Sequence, residues 1–178
     1  MFAGPAPVVA GSAVLVGLLA TACVSDLRTR LIPNQLVLAI IAAGLLYAMV
    51  TKPGISGFSH AGAGFLTGLG VWFPFYLLRM LGAGDVKLFA ASATFLGARG
   101  AVEGALYTAL FGGALALVYM VLSSGWSWTF IRLGHGVQHP AMLRNAPEDD
   151  GARRRMPYAL AIAAGVLVAF WWPGHLIN

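Results

Sequence analysis

The sequence predicts an all-α integral membrane protein, a bundle of about six transmembrane helices, and three observations carry that prediction. Of 178 residues, 59% are apolar and only 10% are charged, whereas a soluble domain carries roughly 25% charged residues. Mean hydropathy is +0.81. The apolar residues gather into long runs, and the Lys and Arg residues fall between the runs rather than on a polar face. A chain of this length holds one such bundle, a single transmembrane domain over residues 1–178, and little else.

A spanning helix needs about 20 mostly apolar residues, with a range of roughly 17 to 25. Runs at 8–24, 35–51, 61–78, 82–98, 101–123 and 157–173 meet that requirement. The first contains ATAC at 20–23, which loosely resembles a lipoprotein cleavage site. A secretory signal begins with basic residues; none precedes this run, and position 20 is Ala, so it is expected to remain a transmembrane helix. Cys23 is the single cysteine, so neither an internal disulfide nor a zinc cluster of cysteines supports the fold. DLRTRLIPN separates the first two runs, TKPGISGFSH the second and third, Arg79 to Leu81 the third and fourth, and Ala98 to Gly100 the fourth and fifth. The fifth is followed by a longer polar segment, about 124–156.

Positive charge sets the orientation. Of the 11 Lys and Arg residues, all but Lys52 and Arg99 lie in or beside the first, third and fifth connections. Cytoplasmic loops carry the excess of Lys and Arg, which makes the odd-numbered connections cytoplasmic and puts both termini outside, with Trp171 and Trp172 at the outer interface. Small residues one turn apart, such as Gly64 with Gly68 and Gly100 with Gly104, let helices approach closely in lipid. The formal charge of +5 does not indicate nucleic acid, because the basic residues are not interleaved with aromatics.

Among the six acids, Glu148, Asp149 and Asp150 form a run in the long loop and read as solvated. Glu103 reads as a carboxylate in the first turn of a helix, where the macrodipole favours it. Asp26 and Asp85 remain. The stretch from Val86 to Gly97 covers roughly 18 Å at about 1.5 Å per residue, short of a hydrocarbon core of about 30 Å. The helix is therefore expected to begin before Asp85 and to submerge its carboxylate, which costs a few kcal/mol and marks a functional candidate. A simple helix-start carboxylate with Lys87 snorkelling outward is the alternative. Gly82-Ala83-Gly84 argues against it, since residues without bulk let another backbone come close. Asp26 ends the first run at the same membrane face.

Two carboxyls at one site tend to share a proton. One can then activate water while the other donates to a carbonyl oxygen, as in the aspartic proteases. No metal is called for: His60, His135, His139 and His175 fall in connections, and only His135 and His139 share a helical spacing, with no third ligand.

DLRTRLIPN at 26–34 and GAGDVK at 82–87 resemble the two signatures of the type IV prepilin peptidases, and MPYALAIAAG at 156–165 resembles that family's third segment, with Ala159 where Gly is usual. The resemblance spans all six runs in family order. It implies a bacterial inner-membrane aspartic endopeptidase, without cofactor, that removes the basic leader of pilin-like precursors at the cytoplasmic face. Asp26 and Asp85 match the catalytic pair. Arg28, Pro33, Asn34, Gly82, Gly84, Lys87, Pro157 and Tyr158 match supporting or substrate-contacting positions, although Pro33 with Asn34 reads first as the start of the second helix, and Pro157 and Tyr158 read equally as helix entry and interfacial anchor. Long members carry a cytoplasmic insertion with paired cysteines between the first two helices and N-methylate the product. Here the connection is short, so the chain is similar to the small peptidases of tight-adherence (Flp-type) pilus systems and, in plan, to archaeal preflagellin peptidases. Presenilin-type proteases share G-x-G-D but place their acids on adjacent late helices. A small proton-coupled transporter would place its acids nearer mid-membrane, often in repeated halves, and a non-catalytic assembly subunit would tolerate loss of both aspartates.

Overall fold

The computed structural model describes residues 6–29, 31–78, 81–122 and 158–174. Among them the regular elements are helices: α1 (Ala6–Thr29), α2 (Asn34–Thr51), α3 (Ile55–Leu77), α4 (Ala83–Leu122) and α5 (Tyr158–Trp171). Three are long and apolar enough to cross a membrane, at Pro7–Thr29, Asn34–Thr51 and Ala83–Val118, and α5 is a shorter apolar helix. The chain is thus an all-helical membrane protein. It divides into two units, Met1–Gly112 with Pro157–Asn178, and Gly113–Met156. In the second, Gly113–Leu122 are described and helical; the loop expected at about 124–156 lies outside the described residues. The first unit contains all the side chains discussed below.

At the centre of that unit runs the first arm of α4, where every residue from Leu88 to Phe95 is buried. A helix apolar all round is one enclosed by others, and here Leu15 and Leu19 of α1, Ile40 of α2, Trp72 of α3, and Ile162 and Val166 of α5 join Phe89 in the core. Its two hydroxyls turn onto their own helix: Ser92 Oγ donates to the Leu88 carbonyl at 2.8 Å and Thr94 Oγ1 to that of Ala91 at 2.7 Å. Val14, Leu38, Leu46 and Leu66 face outward instead, as lipid-facing positions do. Lipid removes the hydrophobic drive between helices, so close packing of small residues holds them. Gly64 and Gly68 bear this out, the one against the Ala93 carbonyl and the other facing Ala93 and the Ala90 Cα.

Helix boundaries depart from the apolar runs in three places. α1 continues through Asp26 to Thr29, because a helix need not stop where hydropathy does. α3 begins at Ile55, after a turn in which Gly54 takes φ 80°, so His60 is helical and not in a connection. The break between the fourth and fifth runs is at Gly97 (φ 72°, ψ 179°), and Ala98 to Gly100 are helical. Ala and Arg favour helix, whereas only glycine adopts Gly97's backbone angles at no cost. The His60 ring also occupies the space a Cβ at 97 would need. Gly97→Ala is expected to cost about 1–3 kcal/mol, read as a lower thermal midpoint of the purified protein. An unchanged midpoint would show that the kink is not required.

Candidate active site

Asp26 sits one turn before the end of α1, and the chain beyond it is pinned by hydroxyls. Ser25 Oγ donates to the Leu31 carbonyl at 2.8 Å. Thr29 Oγ1 donates to the carbonyls of Ser25 at 2.9 Å and Leu31 at 3.2 Å. Pro33, with ψ 135°, is the N-cap of α2, and its carbonyl accepts from the Leu36 and Val37 amides at 3.0 and 3.3 Å. The helix-start reading of Pro33 and Asn34 therefore holds locally, and both side chains are exposed, as is Arg28. Asp26 is half-buried. Its Oδ2 is enclosed and has no hydrogen-bond partner, a costly state for a carboxylate oxygen unless a substrate or water supplies a donor.

Asp85 stands in the first turn of α4, which begins at Ala83, two residues before the acid. The Val86 amide donates to the Gly82 carbonyl at 3.3 Å, and Asp85 Oδ2 lies 3.1 Å from where a Gly82 Cβ would stand. Side-chain bulk at 82 would therefore press on the carboxylate. Gly84 meets the other motif: its absent Cβ would be 3.6 Å from Ile32 Cδ1. A methyl would just fit there, and anything longer would push the Leu31–Pro33 connection away. The glycines thus bring the helix start that carries Asp85 against the connection that follows Asp26. Lys87 is exposed.

Tyr158 opens α5 and is half-buried. Tyr158 packs edge-on to Trp72 at 6.2 Å and 81° and lies over Gly112, whose absent Cβ would be 2.8 Å from the Tyr158 hydroxyl. Trp72 in turn stands edge-on to Phe89 at 5.8 Å, and its buried indole N–H has no hydrogen-bond partner. Sequence reading found Tyr158 but missed Trp72 and Gly112, which carry no local signal. Ala159 is fully buried, so smallness is what its position requires. Pro157, His135, His139, His175, the acidic run Glu148 to Asp150 and Arg153 to Arg155 lie outside the described residues.

No group of three or more His, Cys, Asp or Glu side chains is placed to hold a metal among the described residues. His60 instead has Nδ1 3.0 Å from Lys52 Nζ, beyond the far end of the central arm from Asp85. Cys23, buried one turn before Asp26, is close enough to feel its charge.

The profile of the type IV leader peptidase family matches residues 13–121, a stretch that contains both aspartate motifs. A prepilin leader peptidase/N-methyltransferase from Xanthomonas campestris pv. campestris is 32% identical over 103 residues, which are 53% of this chain and 35% of the relative. The chain therefore matches about a third of that relative's length. No solved structure matches the chain.

Proposed function

Since the chain belongs to the type IV leader peptidase family, we propose that it is a membrane-embedded aspartic endopeptidase that removes the basic leader of pilin-like precursors, with Asp26 and Asp85 as its catalytic pair. The observation that supports this reading is the approach of Ile32 Cδ1 to within 3.6 Å of where a Gly84 Cβ would stand, which brings the connection after Asp26 near the helix start that carries Asp85 although they are distant in sequence. With one carboxyl ionised and the other protonated, the first takes a proton from water as its oxygen attacks the scissile carbonyl. The second gives its proton to the carbonyl oxygen. Collapse of the tetrahedral intermediate then breaks the C–N bond, and a proton passes to the departing amine.

The break at Gly97 divides α4 into two arms and supports six crossings. On the charge distribution both termini are outside and the odd connections cytoplasmic, so cleavage takes place at the cytoplasmic face of a bacterial inner membrane. The pilin's hydrophobic helix then lies along the bundle in lipid while its leader stays in the cytoplasm. α1 and α2 are joined by the few residues between Thr29 and Asn34, with no insertion bearing paired cysteines, and this supports leader cleavage without N-methylation. The test is to incubate the purified protein in lipid nanodiscs with a pilin-like precursor and follow product mass. A single cut at the border between basic leader and hydrophobic helix is expected; an intact precursor would overturn the proposal.

Tyr158, which matches the family's third segment, is proposed to serve the reaction beyond its packing on Trp72. Tyr158→Phe keeps the edge-on contact with Trp72 and removes only the hydroxyl, so kcat is expected to fall about tenfold with KM and thermal midpoint unchanged. An unaltered kcat would reduce Tyr158 to packing.

A further inference from the structure

At the end of the bundle opposite the two aspartates, the last turns of α2, the break in α4 and the residues after α5 line an open cavity of about 420 Å³. Tyr47, Phe95, Arg99, Glu103, Phe170 and Gly174 line it. Small-molecule sites have volumes of about 300–1,000 Å³, so this one has room for a headgroup-sized ligand. It is separate from the peptidase site by the length of the central arm, roughly 18 Å from Asp85 to Gly97 at about 1.5 Å per residue.

Glu103 is 1% exposed. Its Oε2 accepts a hydrogen bond from the Gly174 amide at 2.8 Å, whereas Oε1 is buried with no hydrogen-bond partner. Arg99 Nε is 3.9 Å from Oε1, close enough for an ion pair but beyond hydrogen-bond range. The Arg99 side chain is 63% exposed. The cavity therefore offers a buried acceptor that lacks a donor, an exposed cation beside it, and aromatic walls. A ligand that fits carries an N–H cation and, a few atoms away, an anion.

We propose that this cavity binds the phosphoethanolamine zwitterion of a phospholipid bearing a primary amine, its ammonium donating to Glu103 Oε1 and its phosphate meeting Arg99. A quaternary ammonium is excluded as the preferred ligand because it has no N–H to give Oε1. Oε1 is covered as it stands, so binding requires a side-chain shift beside it; the exposed Arg99 can change rotamer on the ps–ns timescale. Lipid is the expected source because the cavity lies at the ends of membrane-crossing helices. Next to it, Trp171 and Trp172 are about half exposed, and such residues collect at headgroup level.

The test uses the full-length protein in detergent and native mass spectrometry with palmitoyl-oleoyl phosphatidylethanolamine, the matching phosphatidylcholine, and soluble glycerophosphoethanolamine. Phosphatidylethanolamine is expected to bind about tenfold tighter than phosphatidylcholine; Glu103→Gln is expected to erase that preference, and Arg99→Ala to weaken both phospholipids about tenfold. Displacement of the lipid by glycerophosphoethanolamine at similar concentration would assign the site to a soluble zwitterion of the same chemistry; displacement only at large excess assigns it to lipid. Glu103→Gln keeps an acceptor for Gly174, and if it fails to fold by circular dichroism, Arg99→Ala decides. Equal binding of the two phospholipids, a preference that survives Glu103→Gln, or undiminished binding of both by Arg99→Ala would overturn the proposal.

Discussion

Asp26→Asn and Asp85→Asn are each expected to lower the rate of leader cleavage by about ten-thousand-fold, because an amide can neither take a proton from water nor give one to the carbonyl oxygen. The substitutions preserve shape. Asp26 Oδ2 has no hydrogen bond to lose, and Asp85 lies in the first turn of its helix, where Asn is also tolerated. Thermal midpoints and membrane insertion should therefore match the unaltered protein, which separates lost chemistry from lost fold. Cleavage assays on purified variants measure the effect. Retention of a tenth or more of the rate by either variant would remove that residue from the mechanism. Tolerance of both would favour an assembly subunit or a transporter.

The second large effect concerns the fold. A Cβ on Gly64 would run into the Ala93 carbonyl and stand 3.0 Å from the Gly97 Cα, so the backbones of α3 and α4 are in contact there. Backbone cannot rotate away as a side chain can. Gly64→Leu must separate the helices and is expected to cost about 3 kcal/mol or more, with a large fall in thermal midpoint or failure to accumulate in the membrane. Gly62→Leu is the control, since nothing lies within 4 Å of its absent Cβ. Similar behaviour of the two variants would mean that α3 and α4 are not packed at Gly64.

Much of the fold was legible because chemistry and hydropathy agree at several boundaries. α2 runs from Asn34 to Thr51, within a residue of the apolar run, since Pro33 starts it and Lys-Pro-Gly ends it. The kink in α4 was displaced from its true position because hydropathy does not register φ; Arg99 looked like a turn residue, yet Gly97 is the one with the unusual backbone. Glu103 was misread for a different reason. Just past an expected turn it resembles a first-turn carboxylate facing the helix dipole, and only the Gly174 amide, 71 residues away in sequence, reveals a buried group. In the site, the bulkless residues around Asp85 pointed to the close approach of another segment, and Ile32 is what approaches. Trp72 could not be foreseen, because its partners Phe89 and Tyr158 come from other helices.

The claim that Asp26 and Asp85 form one catalytic site is tested most directly by comparing the cleavage rate of the double variant Asp26→Asn/Asp85→Asn with each single variant in the same purified assay. Residues that act as a unit lose their function together, so the losses are not additive. The double variant is predicted to cleave at the same residual rate as either single one. A double variant slower by the product of two separate losses would show that the two carboxyls act independently, and would contradict the account.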